Sequence, residues 1–252
     1  MMSAGTVHWH QSKRVWAIAK KDIRIYYSKG PVVIFGIIFP VFLFLSFLIG
    51  RQLTLSFVMP GLIGMVLFFT ATAISPAVAP WETQAKTLER LMSCPVTIPT
   101  IVLGDILASF IFGALISVVP IIIGLTLGMT IASPLILVLA IFLAAFCFSS
   151  LGLVFSSAPT ALPSNVMMLS SMIRFPIIFI SGVFIPLSEL PTWGQAVSYI
   201  SPLTYFTDIA RHLIQGTGYL PIAIDLLVLL AFAVLFLVAA TKLHQRTMPR
   251  RI

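Results

Sequence analysis

The residue best placed to do chemistry is Arg174, a lone cation, since residues 106–173 and 175–188 carry no charge at all. A guanidinium in so apolar a run is costly to desolvate and must face protein or water. Two roles fit it. It meets an anionic substrate group or lines a subunit interface, or it is a structural cation satisfied by helix carbonyls or by an acid at a span end. A second cluster lies in residues 81–95, WETQAKTLERLMSCP. There Trp81 precedes Glu82 and Lys86, which stand four apart in the favourable order, and Leu88, Leu91 and Met92 share a helical face beside the charges of Glu89 and Arg90. This pattern suits either a docking surface for a soluble partner or an ordinary solvated connector. The third cluster, in residues 187–220, holds Pro191, Trp193, Pro202, Tyr205, Asp208 and Arg211. Ser201 suits an N-cap, Pro202 a first helical position and Gly216 a C′ position, with Leu203, Phe206, Ala210 and Leu213 as an apolar stripe between them. A helix over 202–215 would span about 21 Å, too short for a hydrocarbon core of ~30 Å. It reads as re-entrant, or as lying flat on the surface.

Absent groups narrow the chemistry further. The sequence contains no G-x-x-x-x-G-K-[ST] loop, so this chain does not hold ATP in that manner. His8, His10, His212 and His244 all fall outside the apolar runs, which argues against an intramembrane hydrolase. Asp105 and Asp225 sit near span ends, where water is within reach, and structural roles are expected for both. With no acid in mid-span, a proton or sodium relay has no obvious carrier. Cys94 and Cys147 show no metal or redox spacing. Neither a catalytic residue nor a metal site is expected, and uphill transport would draw its energy from another chain.

These residues must be positioned by membrane helices. Of the 252 residues, 59% are hydrophobic and 9% charged, where soluble domains carry about 25% charge. A soluble fold could not cover its surface with so few charges, and a disordered chain would not be so apolar. The expected class is therefore an all-α integral membrane protein. Charge-free stretches give six expected transmembrane helices, over residues 31–50, 55–79, 100–124, 134–156, 165–186 and 221–241. Residues 81–95 and 187–220 then fall on opposite sides. Placing both termini in the cytoplasm puts twelve Lys and Arg inside and two, Arg51 and Arg211, outside, a strong positive-inside bias. The net charge of +8 thus flanks a membrane, and nucleic acid is not an expected partner. Residues 12–29 read as an N-terminal amphipathic interfacial helix with Val15, Trp16, Ala19, Ile23, Tyr26 and Tyr27 on its apolar stripe and Ile18 and Ile25 off it.

The informative segments resemble the membrane subunit of an ATP-binding-cassette exporter, the type-2 permease family. That family's first motif reads approximately E-R-x-x-G-T-L-E-x-L followed by proline; Glu82, Thr87, Leu88, Glu89, Leu91 and Pro95 match it, with Thr83 in place of Arg and Lys86 in place of Gly. The second, P-L-T-Y ending in Arg, is met by Pro202, Leu203, Thr204, Tyr205 and Arg211, and the run SGVFIPLSELPTW at 181–193 is similar to the family's exit from the fifth span. The resemblance implies a multi-pass protein of the cell (plasma or inner) membrane. It also implies a homodimer, or a heterodimer of similar permeases, joined to two cytoplasmic ATPase subunits that hold ATP and Mg, with no cofactor in this chain. Trp81, Glu82, Lys86, Leu88, Glu89, Arg90 and Leu91 would couple to the ATPase. Short re-entrant helices before the last span would form the outer rim of the path, with Arg174, Pro191, Trp193, Pro202, Tyr205, Asp208 and Arg211 along path or rim. Family substrates are drugs, lipids, lipid-linked glycans or polysaccharides, and the short outer loops favour an amphiphile drawn from the membrane. The alternative is an ATP-independent secondary transporter or membrane scaffold, which would have no ATPase partner.

Overall fold

A computed structural model describes residues 4–27, 34–49, 54–160 and 162–250. Within them the chain is helical: α1 (Ala4–Asp22), α2 (Phe39–Leu48), α3 (Leu55–Ala73), α4 (Val78–Gln84), α5 (Thr87–Met92), α6 (Ile98–Thr126), α7 (Pro134–Ser156), α8 (Pro163–Ile180), α9 (Thr192–Ser198), α10 (Pro202–Gln215) and α11 (Ile222–Thr247). Wider π-helical turns extend α1 through Ile23–Tyr27 and precede α2 over Ile34–Ile38. Prolines in the first turns of α6, α7, α8 and α10 follow extended residues Thr97, Ser133, Leu162 and Ser201. A preset φ and a missing N–H cost nothing at that position, which is why the helices start there.

Five helices among the described residues are long and apolar enough to cross a membrane: Leu55–Gln84 (α3 through α4), Ile98–Thr126, Pro134–Ser156, Pro163–Ile180 and Ile222–Thr247. The first expected span, 31–50, and its neighbour Arg51 lie partly outside the described residues. The hub is Leu55–Gln84, whose most apolar 18 residues are 89% buried, against 17% for those of Ile222–Thr247. Glycines explain how neighbours reach it. A methyl group on Gly61 would lie 2.2 Å from the Val183 carbonyl oxygen, and one on Gly64 would lie 2.8 Å from Thr207 Cγ2. The rest of the core is side-chain packing, with Phe68 edge-on to Phe148 at 5.1 Å between α3 and α7.

Several expected elements change shape. The span expected over 165–186 ends at Ile180, because Gly182 takes φ +71° and turns the chain away. The span expected over 55–79 pauses at the turn Ser75–Ala77 and resumes as α4, drawing Trp81 and Glu82 into the helix. Residues 81–95 do not form one continuous amphipathic helix. α4 and α5 are separated by a left-handed turn at Lys86, φ +54°. The N-terminal helix buries Ala19 and Tyr27 of its expected stripe, with Ile23 and Tyr26 packed beside them, but Trp16, expected on it, is exposed, and Ile18, expected off it, is buried. α1 is held by protein on one side, and Gly104 of α6 lets Ile18 approach so closely that an added methyl would lie 2.5 Å from its Cγ2. Those contacts, not the helix's own moment, choose the buried face.

Candidate functional site

Two groups of charges stand at opposite ends of the α3 hub. The first joins α1, α4 and α6. Lys21 binds the Glu82 carboxylate directly and lies 3.0 Å from Asp22 Oδ1. Asp22, Glu82 and Asp105 are all buried, and Lys21 is the partly exposed cation among them. Burial works to lower the Lys21 pKa, but the carboxylates of Asp22, Glu82 and Asp105 outweigh it and hold the ammonium charged well above its ordinary range. Tyr26 is pushed up to about 12 by burial and by Glu82, and it stacks on Trp81 with ring centroids 5.4 Å apart. Tyr27 is raised too, chiefly by burial. Sequence spacing suggested a Glu82–Lys86 pair. The turn at Lys86 points that residue to solvent, and Lys21, 61 positions away, takes Glu82 instead.

Beneath this cluster Leu88 is buried with Ile18, Ala79, Ile101 and Met248, while Leu91 and Met92 pack partly against them. Lys86, Glu89 and Arg90 remain exposed on the same short helix pair. Arg14 donates to the Pro95 carbonyl, and Thr100 and Gln11 share a hydrogen bond of 2.8 Å. Each of these contacts ties α1 to the 95–100 segment. The pair α4–α5 is therefore a braced platform with a charged outer face.

Arg174 lies between the two ends. Its Nη1 donates to the Thr72 carbonyl at 3.2 Å, its Nε to Ser170 at 3.4 Å and its Nη2 to Ser171 Oγ at 3.2 Å. It also sits 6.0 Å from the Phe69 ring centroid. The helix-carbonyl arrangement is the one observed, and no acid pairs with it among the described residues. Together with Phe39, Phe69, Met168 and Phe175 it borders a cavity of about 340 Å³.

The second group is built on α10. Its stripe, Leu203, Phe206, Ala210 and Leu213, is buried, and Gly216 ends the helix at φ +76°. Ser201 does not cap α10 with its side chain; its Oγ is engaged with Ser181 Oγ at 2.7 Å. Asp208 accepts the Tyr219 N–H at 2.9 Å and the Leu220 N–H at 2.8 Å, fastening the loop after α10. Arg211 donates through Nη2 to Gly182 at 2.8 Å and lies over Phe57 at 5.2 Å. Burial lowers its pKa, against the carboxylates of Asp208 and Glu189, which raise it. Tyr205 donates to the Tyr199 carbonyl at 2.8 Å, and burial raises its pKa. Pro191 starts α9, Trp193 is exposed upon it, and Pro202 is buried at the start of α10. Asp208 and Arg211 thus come together around one cavity, whereas Trp193 does not line it.

Asp22 and Asp105 escaped the sequence reading as members of a site. Asp105 and Asp225 were expected within reach of water, yet they are 2% and 0% exposed. A single acid in an apolar or basic run gives no hint of what packs over it. Among the described residues no group of three His, Cys, Asp or Glu is placed to hold a metal ion.

Both charged groups lie within the stretch of this chain that matches a known family, ABC-2 type transporter, over residues 13–215. The inner membrane transport permease YadH of Escherichia coli strain K12 is 24% identical over 251 residues, covering 95% of this chain and 96% of that protein. The permease of that name from Shigella flexneri gives the same figures. The daunorubicin resistance ABC transporter permease protein DrrB1 of Streptomyces coeruleorubidus is 29% identical over 77 residues, 31% of this chain and 25% of that one. A helical, multi-pass architecture matched from α1 to the end of α10 leads to one conclusion: this chain belongs to the ABC-2 type transporter family and is a transport subunit whose ATPase resides on a partner chain.

Proposed function

We propose that this protein is the permease of an exporter in which two permease copies enclose a path for an amphiphilic substrate and two ATPase subunits dock from the cytoplasm. The observation that carries this reading is the braced α4–α5 platform. Lys21 and buried Leu88 fix it to α1, while Lys86, Glu89 and Arg90 stay free to meet a partner. A rigid element with charged groups on its free face can pass a partner's movement into the bundle, as a solvated connector cannot. Both termini would then be cytoplasmic, and ATP with Mg would be held entirely by the partner. The name of the YadH permease supports the inner membrane as the location, and the drug-resistance name of DrrB1 supports outward movement of an amphiphile. The pairing of permeases is supported by Ile222–Thr247 and Pro163–Ile180, which bury only 17% and 22% of their apolar windows within one chain.

The test is charge reversal at Glu89, which is exposed. Glu89→Lys should leave membrane insertion intact while cutting copurification of the partner ATPase and its stimulation by substrate. Full ATPase association and full transport in that variant would refute the docking surface. Absence of any copurifying ATPase with the unmodified protein would refute the exporter reading itself and favour an ATP-independent carrier.

A further inference from the structure

A cavity of about 760 Å³ opens between the start of α3, the 186–189 turn and α10. Its polar lining includes Thr54, Ser56, Glu189, Asp208, Arg211 and Tyr219. Pockets of this size hold small ligands or lipid headgroups. Arg211 is 2% exposed, and although Nη2 is bonded to carbonyls, its Nε and Nη1 have no acceptor. A guanidinium stays charged even when burial lowers its pKa, so two orphaned N–H donors beside a cavity mark a place where an acceptor is missing. The obvious intramolecular acceptor is engaged elsewhere. Both Asp208 oxygens already receive the backbone N–H groups of Tyr219 and Leu220, and no ion pair joins Asp208 to Arg211.

The missing acceptor cannot be a simple anion. Against one guanidinium the cavity presents two carboxylates, Asp208 and Glu189, so a bare phosphate or carboxylate would meet net negative charge. A ligand carrying both signs resolves this: its anion accepts a single charge-assisted hydrogen bond from Nε or Nη1 of Arg211, Nη2 being held by carbonyls, and its ammonium answers Glu189, which stands exposed. We infer that this cavity binds a zwitterionic headgroup, an ammonium linked to a phosphate or carboxylate, on each permease chain. The inference deepens the exporter reading and rests on it for the cavity's outward orientation. Binding itself needs no ATPase, so the two can fail separately.

The experiment uses purified full-length permease in a nonionic detergent. Thr217→Cys at the cavity reports occupancy through its rate of reaction with a maleimide. Cys94, which is exposed, is replaced by Ser, and the buried Cys147 is left in place. Dihexanoylphosphatidylethanolamine should slow labelling in a saturable manner, whereas dihexanoylphosphatidic acid and hexyltrimethylammonium should do so about tenfold less well or not at all. Arg211→Gln should abolish the protection, and Arg211→Lys, which keeps the charge but not the Nε and Nη1 donors, should retain part of it. Glu189→Gln alters an exposed residue and so leaves folding intact; it should narrow the preference for the zwitterion over phosphatidic acid. Equal protection by all three probes, with or without Arg211, would overturn the site as mere detergent-like adsorption. Protection by the anion alone, unchanged in Glu189→Gln, would overturn the zwitterionic assignment. No protection by any probe would overturn the site while leaving ATPase association and the exporter reading untouched.

Discussion

The two charged ends of the bundle handle buried charge in opposite ways. At the α1–α4 end, carboxylates converge on a single ammonium: Lys21 meets both Asp22 and Glu82, and oxygens of Asp22, Glu82 and Asp105 stay buried with no hydrogen bond of their own. At the α10 end, acid and base make no ion pair with each other. Asp208 is answered by backbone N–H groups and Arg211 by carbonyls and the Phe57 face, with donors left over beside an open cavity. The first arrangement behaves as a brace, since its energy depends on keeping three helices together. Both ends leave polar atoms unmet, but only the second sets them beside a cavity lined by Arg211, Asp208 and Glu189, so it behaves as a receptor. A charge in a membrane bundle is thus informative through its partners more than through its presence.

Breaking the brace should give the largest effect. Lys21→Met leaves Glu82 and Asp22 buried without their cation, and removing one member of a buried pair costs about 3 kcal/mol, at the low end of the range because Lys21 is partly exposed. The thermal midpoint of the purified protein should fall accordingly, and the double variant Lys21→Met with Glu82→Met should recover most of the loss. Titration should do the same thing reversibly. Because the folded-state pKa of Lys21 lies above 10.5, its contribution is fully present below that value and disappears as pH rises through the raised pKa. Tyr26, raised from 10.0 to about 12, adds a loss in the same direction above pH 10. Lys21→Arg should extend the stable range upward; an identical alkaline profile in that variant would detach Lys21 from the effect.

The receptor end should break through its backbone instead. Gly61→Ala would drive a methyl into the Val183 carbonyl, and overpacking of this kind costs about 1–3 kcal/mol. Since Val183 lies beside the Gly182 carbonyl that holds Arg211, thiol labelling around the cavity should accelerate as well as the midpoint fall. A smaller effect is expected at Asp208. Asp208→Asn removes the charge from two backbone hydrogen bonds and should cost about 1 kcal/mol. It should be visible as faster hydrogen exchange at the Tyr219 and Leu220 amides with little change at the brace. The smallest change sharpens the brace end: Lys86→Gly relieves a left-handed non-glycine residue and should raise the midpoint, by about 0.5 kcal/mol of stability once the freer unfolded chain is counted. A lower midpoint would show that the Lys86 side chain supports the turn.

Much of this architecture was legible from composition. Gaps between charges located apolar helices such as Ile98–Thr126 and Pro134–Ser156, because a bilayer requires long uncharged stretches whatever packs beside them. Local chemistry was legible as well: Pro202 and Gly216 bound α10 because proline and glycine act through their own backbone. Arg174 was singled out by its isolation, but its two roles were left open, since the Thr72 carbonyl it reaches is 102 residues away.

What the sequence left undecided were partners distant along the chain. Lys21 and Glu82 are 61 positions apart, Arg211 and the Gly182 carbonyl 29, and the burial of Ile18 in place of Trp16 follows from Gly104 on another helix. Charge spacing within one helix pointed Glu82 toward Lys86, because an i to i+4 pair is visible in one dimension. The left-handed turn at Lys86 and the approach of α1 decided otherwise. Apolar length and capping are properties of a segment and its solvent, so the sequence alone determines them. The partner of a buried charge is the group that lies nearest after the helices pack, and only the tertiary structure decides that.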